Sequence, residues 1–287
     1  MLQSRHEHPQ IMLPEPTYKP AKLGVEVRGI DLTSELPSET IAKLKNDIHK
    51  HRMLIFKNQG VISAERHVEI SKWFGELEST FYKHPKSPHP DVFRVSNDEK
   101  EGCRNVGRTG WHIDGSFMDK PFNYALYHMV SVPKVGATAF VGFKELLESL
   151  KPERRALWER LWMVGDRGDV IHPLIYKHPV TRASVMCLHL GMTSCFMWDK
   201  KSQSQRVTGE QETAQLLQDI HTEIVKDNRS LVYEHQWEEG DFIISDNRAV
   251  AHEATPETQH PVSQVGLRVL HRTTIAGTTK PDKSEII

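Results

Sequence analysis

Three places in the chain put a histidine two residues before a carboxylate: His67-Val-Glu69, His89-Pro-Asp91 and His112-Ile-Asp114. Side chains at i and i+2 share one face of a strand. The spacing therefore offers one nitrogen and one oxygen ligand from a single element. With a second histidine from a neighbouring strand, such a pair completes the face of ligands that holds non-haem Fe(II) and leaves three positions open. The pattern alone selects nothing, because 17 histidines and 38 acidic residues in 287 positions supply about two matches by chance.

Context separates the three. His67 and Glu69 fall in the middle of a helical pattern, where i and i+2 do not face each other, and read as a solvated helix face. His89-Pro-Asp91 lies in HPKSPHPD, a turn segment whose prolines break a strand ladder. His112-Ile-Asp114, in WHIDGSF, reads as a strand entered from a long polar loop at 97–110. Left to itself, it fits a metal pair or a histidine hydrogen-bonded to a turn aspartate equally well. Downstream, Gly136-Ala-Thr138 opens a strand, DNRAVAHEA carries His252, and GLRVLHRTTIAG carries Arg268 and Arg272 at i and i+4, on one strand face. Two inward arginines are costly without anions, and the guanidinium fork suits a carboxylate. A dicarboxylate beside a metal accounts for the grouping.

The elements needed to position these residues are mostly strands. Leu23–Leu32, residues 53–56, Asp91–Ser96, Trp111–Phe117, Asn123–Val132, Ala137–Phe143, Ser184–Leu190 and Ser194–Met197 read as strands. So do Leu231–Trp237, Asp241–Ser245, Ala249–Glu253 and Val265–Ala276. Helical patterns occupy Pro37–Lys50, Ser63–Phe74, Lys144–Leu150, Pro152–Trp162 and Gly209–Lys226. Residues 163–182 read as irregular. No Gly-rich βαβ fingerprint appears. The fold class is mainly β with helical insertions, most naturally a jelly roll. No linker divides the chain, so residues 1–20 read as a tail and 21–287 as a single domain.

Composition removes other classes. Lysine plus arginine number 37 against 38 acidic residues, a net charge of −1 that favours neither nucleic acid nor an anionic membrane. No apolar run reaches the roughly 18–20 residues of a membrane helix. The first residues lack a secretory pattern, and the ending KSEII matches neither common retrieval address. Three unpaired-looking cysteines argue against a disulfide framework or a thiolate zinc site. A cytoplasmic location is expected, and a homo-oligomer is allowed without any feature fixing its symmetry.

At FGEL (74–77), WHIDGSF (111–117), GATAF (136–140), DNRAVAH (246–252) and RVLHRTTI (268–275), the chain resembles the taurine dioxygenase-like (TauD/TfdA) family of Fe(II)/2-oxoglutarate-dependent oxygenases. These motifs occur in the family's order across nearly the whole chain. The resemblance implies a double-stranded β-helix. It implies that His112, Asp114 and His252 bind iron and act in catalysis, and that Thr138 and Arg268 grip the distal carboxylate of 2-oxoglutarate. Arg272 either shares that carboxylate or, with His84, contacts an acidic substrate. Dioxygen is the second cosubstrate. 2-Oxoglutarate is decarboxylated to succinate and carbon dioxide while the substrate is oxidised, usually by hydroxylation. Asp114 itself speaks against the halogenating variants, which replace that carboxylate.

For the substrate, Arg104, Arg108, Arg272 and His84 suggest a cationic pocket for a small carboxylate, sulfonate or amino-acid-like anion. Phe81, Tyr82, Phe117 and Trp198 would form an apolar wall or ordinary core packing. Residues 97–110 and 163–182 are candidate lids. Two competing readings use the same triad. One is a zinc-dependent hydrolase with a bound water; the other is a non-catalytic 2-oxoglutarate-binding module. Thr138 with Arg268 separates the first from an oxygenase, since a hydrolase needs no dicarboxylate clamp.

Overall fold

Strand alternation decides where the layers lie. The computed structural model describes residues 15–79, 83–166 and 169–283. The chain opens with β1 (Thr17–Pro20), β2 (Val25–Arg28), α1 (Ser38–His51), β3 (Met53–Phe56), α2 (Ala64–Lys72), β4 (Phe93–Ser96), β5 (Tyr124–Ser131) and β6 (Thr138–Gly142). An insertion follows, with α3 (Phe143–Glu148), α4 (Pro152–Glu159), β7 (Leu161–Gly165), β8 (Ile171–Pro173), β9 (Ile175–Lys177), β10 (Ser184–Met186), β11 (Thr193–Trp198), β12 (Arg206–Val207) and α5 (Glu210–Arg229). Then come β13 (Val232–His235), β14 (Phe242–Asp246), β15 (Val250–Ala254), α6 (Val262–Val265) and β16 (Val269–Ile275).

Seven strands form one sheet in the order β1-β2-β3-β14-β5-β16-β4, and β13-β6-β15 form a second. Between the two sheets lie Met53, Ile55, Tyr127, Met129, Phe140, Ile243, Val250 and Leu270. The intervening residues Leu54, Phe56, Leu126, Phe242 and Ile244 face the other way, toward Leu44 and Ile48 of α1 and Ile70 of α2. Ala139, Val141 and Ala251 on the outer face of the second sheet join the large apolar cluster of the insertion, with Trp158, Phe196 and Ile220. Strands β3 and β14 are thus apolar on both faces, as a sheet covered on both sides requires. Two facing sheets with helices packed outside make the jelly roll, and its interior is where inward-pointing polar residues must converge.

Local chemistry sets the element ends. Ser63 caps α2 by accepting from the Arg66 amide at 3.2 Å. The run Leu23–Leu32 shortens to Val25–Arg28 because Gly24 and Gly29 take positive φ. At Gly24 a side chain would strike the Met53 carbonyl, with a Cβ only 2.4 Å from its oxygen. The segment Thr17–Pro20, inside the stretch read as a tail, pairs antiparallel with β2. Residues 163–182 are not irregular: they contain the end of β7 with β8 and β9, three-residue strands too short to show a period. Trp111–Phe117 is not a regular strand but a single bridge residue, His112, followed by a turn. His67 is not solvated: it is fully buried under α2, with Nε2 at 3.1 Å from Thr273 Oγ1 and its ring edge-on to Phe242.

Candidate metal centre

His112 and His252 are opposed on neighbouring backbones and exchange both amide hydrogen bonds, at 3.1 and 2.9 Å. This pairing adds the His112 segment to the edge of the second sheet beside β15. On its other side His112 bridges His189, with the Ile113 amide donating to Leu188 and the Leu190 amide to Trp111. Asp114 is already in the turn. Its amide donates to Asn247 Oδ1 at 2.8 Å, and Asn247 Nδ2 donates back to its carbonyl at 2.9 Å and to that of Phe122 at 2.8 Å. Gly115 lets the turn close, since its φ is +74° and a Cβ there would lie 2.9 Å from the Phe122 ring. The histidine and carboxylate therefore converge through a turn clamped by Asn247, not through strand alternation.

One ligand atom each from His112, Asp114 and His252 lies within 4.8 Å of the others, and all three residues are buried. His112 Nδ1 meets the Gly110 carbonyl at 2.7 Å, which fixes the ring and leaves Nε2 for a metal. Burial holds His112 below its ordinary pKa, and burial followed by the field of His112 brings His252 to about 3. Both imidazoles are thus neutral, the form that ligates. For Asp114 burial pushes upward, but its neighbours, the Arg272 guanidinium foremost, hold the carboxyl below its ordinary value, so it is ionised. Two neutral imidazoles and one carboxylate, gathered at one end of the interior, are the donor set that fits Fe(II).

Around this core, Arg272 Nη1 donates to Asp114 Oδ1 at 2.6 Å and its guanidinium stacks 4.8 Å over Phe93. Tyr127 OH donates toward Asp114 Oδ2 at 3.4 Å and lies 3.3 Å from His252 Nε2. Burial raises its pKa far above normal, so it stays protonated. Thr138 Oγ1 accepts from Trp237 Nε1 at 3.0 Å. Thr138 shares its strand face with Phe140, which lies between the sheets, and Arg268 is the buried residue just before β16. Arg268 is 2% exposed and makes no ion pair among the described residues. Its Nε is buried without a partner, and burial lowers its pKa to about 10.

A cavity of about 160 Å³ opens onto His112 and Asp114, while His252, Thr138 and Arg268 are not among its lining residues. Of the residues expected at the substrate, Arg104, Phe117 and Arg272 line it together with His112 and Asp114. Arg108 does not; it donates to the Ala254 carbonyl. His84 lies away from the cavity, with Nε2 at 3.0 Å from the Glu99 carbonyl and Nδ1 accepting from the Lys86 amide. Trp198 belongs to the insertion's core, donating to Glu212 at 2.9 Å. Phe81 and Tyr82 lie outside the described residues. His189, Tyr127, Trp237 and Asn247 were not singled out in the sequence. Tyr127 was reachable by counting alternation along β5, but nothing local marks Asn247 or His189.

The jelly roll and this donor set define the class of Fe(II)- and 2-oxoglutarate-dependent oxygenases. The family model for taurine catabolism dioxygenase TauD, TfdA family, matches residues 17–274, and the chain belongs to that family. It is 26% identical to an alkylsulfatase of Acinetobacter baylyi over 89% of this chain and 83% of the relative. It is also 26% identical to an alpha-ketoglutarate-dependent sulfonate dioxygenase of Saccharomyces cerevisiae, over 86% of this chain and 64% of that one. A 2,4-dichlorophenoxyacetate dioxygenase of Cupriavidus pinatubonensis is 26% identical over 79% and 86%. A taurine dioxygenase structure from Burkholderia xenovorans superposes with a TM-score of 0.75 at 25% identity, covering 95% of this chain and 92% of that one. The structure of AAD-2 with Mn(II) and N-oxalylglycine has the same fold, with a TM-score of 0.74 at 22% identity over 94% and 100%. The chain is an Fe(II)- and 2-oxoglutarate-dependent dioxygenase acting on a small molecule.

Proposed function

We propose that this enzyme oxidises a carbon of a small organic anion, a sulfonate, a sulfate ester or an aryloxy or alkyl carboxylate, with hydroxylation as the outcome. His112, Asp114 and His252 would hold Fe(II). Arg268, with the Thr138 hydroxyl, would hold the distal carboxylate of 2-oxoglutarate. The bound pair supplies dioxygen activation, consuming one 2-oxoglutarate and one dioxygen per oxidised carbon and releasing succinate and carbon dioxide.

The observation that carries this reading is Arg268. A guanidinium that is 2% exposed and lacks an anion among the described residues is unfavourable unless a ligand supplies one. A hydrolase has no use for it. Arg272 differs: its contact with Asp114 suits it to hold the ligand carboxylate in place and to present a remaining edge to the cavity. Arg104 at the rim adds positive charge, while Phe93, Val106, Phe117 and Met192 supply apolar wall. The cavity's charge and size suit a compact anion. The relatives above are named for sulfonate, sulfated and aryloxyacid substrates, the same chemistry in three headgroups.

The setting that goes with this reading is the cytoplasm. Three free thiols, Cys103, Cys187 and Cys195, suit a reducing compartment, and among the described residues no helix is long and apolar enough to cross a membrane. We take the catalytic unit to be one domain, with no nucleic-acid or membrane partner and with homo-oligomers allowed. The test is succinate release across alkylsulfonates, alkyl sulfate esters and aryloxy acids, with Fe(II) or Zn(II) added to metal-stripped enzyme. One or more anions should give succinate and oxidised product in equal amounts with Fe(II) alone. Product formation that proceeds with Zn(II), or without 2-oxoglutarate, would overturn the proposal.

A further inference from the structure

His189 is the third histidine at the metal centre, and neither the triad nor the Arg268 clamp uses it. It is 5% exposed, lines the cavity and stacks on His112 with ring centroids 4.7 Å apart and planes at 27°. Its backbone is pinned: His189 bridges His112, and its carbonyl accepts from the Thr193 hydroxyl at 2.6 Å. The turn after it is locked against the loop that enters the site, since a Cβ on Gly191 would lie 2.2 Å from the Thr109 carbonyl oxygen. Nδ1 is buried with no hydrogen-bond partner, which leaves Nε2 as the nitrogen a ligand in the cavity would meet.

His252, His112 and His189 follow one another across the sheet edge, with His112 in the middle. His189 therefore lines the cavity directly beside His112, on the side away from His252. An imidazole N–H there suits an anionic oxygen bound next to His112, and the chelating carboxylate of 2-oxoglutarate would be such a group. We infer that His189 donates a hydrogen bond from Nε2–H to the carboxylate at the chelating end of 2-oxoglutarate and so selects the chelate's orientation. This inference rests on the cofactor assignment above. It makes His189 a positioning residue for the cosubstrate, distinct from Arg268 at the other end of the molecule. A neutral imidazole suits the task, because it adds a donor without adding a cation beside Arg272 and the metal.

The experiment is an anaerobic titration of the Fe(II)-loaded protein with 2-oxoglutarate, followed by the visible absorption of the iron–oxo-acid chelate. Fe(II) affinity is measured separately. His189→Phe keeps the stacked ring and removes the donor; His189→Asn restores an N–H without the ring. We expect His189→Phe to raise the 2-oxoglutarate Kd about tenfold, or about 1.4 kcal/mol, with Fe(II) affinity within about twofold. His189→Asn should recover most of the loss. An unchanged Kd in His189→Phe overturns the inference. So does a loss that only follows weaker Fe(II) binding, since that would make His189 a support for His112. Should His189→Phe not fold, His189→Leu against His189→Asn gives the same comparison. A wild-type protein that shows no Fe(II)-dependent titration would remove the cofactor assignment along with it, and is told apart because no variant is needed to see it.

Discussion

Asp114 is the partner of Arg272 at 2.6 Å and the acceptor for Tyr127, and it is the anionic ligand of the proposed metal site. Asp114→Ala should therefore cost more than a ligand. It leaves Arg272 buried and unpaired, which destabilises by about 3 kcal/mol or more, and it should abolish Fe(II)-dependent 2-oxoglutarate turnover. Asp114→Asn, which keeps the shape, should lose turnover with a smaller fall in melting temperature. Equal melting curves for Ala and wild type would remove the structural half of this argument. Arg268→Ala should raise the 2-oxoglutarate Kd by about 10–100-fold, from loss of charge-assisted hydrogen bonds; an unchanged isotherm would transfer the role to Arg272. That His112, Asp114 and His252 come together and that Arg268 and Arg272 are buried was legible in the sequence, because the residue types are uncommon in such an arrangement. What orders them was not. Asn247 and His189 act through backbone partners more than 50 residues away, and no local spacing records that.

Strand alternation was legible wherever a strand was long and flanked by turns, so β3, β5, β14 and β16 stand close to where the sequence put them. It misled at short elements. The His112 pair seemed to need a strand, yet one bridge and a turn suffice when Asn247 holds the turn. His67 shows a related failure. Polar type suggested a solvated face, but α2 lays it on β16 among His128 and His271. The consequence is a buried histidine layer on the sheet face opposite the metal. His271 Nε2 accepts from Arg94 Nη1 at 2.8 Å, His128 Nε2 accepts from the Ile62 amide at 3.1 Å, and His67 faces Thr273. Burial first, then Arg94, lowers His271 to about 3, and burial lowers His67 and His128. A folded pKa below the unfolded value of about 6.5 means that the unfolded chain takes up protons first. This contribution to stability is thus complete above about 6.5 and is lost as pH falls below it, for His271 down to about 3, by up to about 1.4 kcal/mol per pH unit for each histidine. His271→Gln, which keeps an acceptor for Arg94, should flatten the fall in stability by about one proton's worth between about pH 4 and 6. Urea melts across that range would show it, and parallel curves for variant and wild type would contradict it.

At the scale of the molecule, the jelly roll accepts a stability deficit in its own interior so that ligands can fill it. Apolar layers lie on both faces of the larger sheet, while the space between the sheets holds Arg268 and Arg272, each with a buried unpartnered Nε. Replacing even a buried ion pair by apolar side chains of similar volume is often neutral or stabilising by about 1–4 kcal/mol, and an unpaired charge has no partner attraction to lose. Arg268→Met should therefore melt higher than wild type in the absence of metal and 2-oxoglutarate, by about 2–4 °C for each kcal/mol gained. The order should reverse when both ligands are added. Wild type gains RT ln(1 + [L]/Kd), about 2.7 kcal/mol at a hundredfold excess over Kd, whereas Arg268→Met should gain only the part due to metal. Removing metal with a chelator should return wild type to its lower melting point. A variant that melts below wild type in both states would show that Arg268 supports the fold itself. One that responds to 2-oxoglutarate as wild type does would show that the interior charge serves some other anion. The crossing of the two melting orders would follow from one buried guanidinium placed just before β16, and it would link the fold to its cosubstrate without reference to the oxidised substrate.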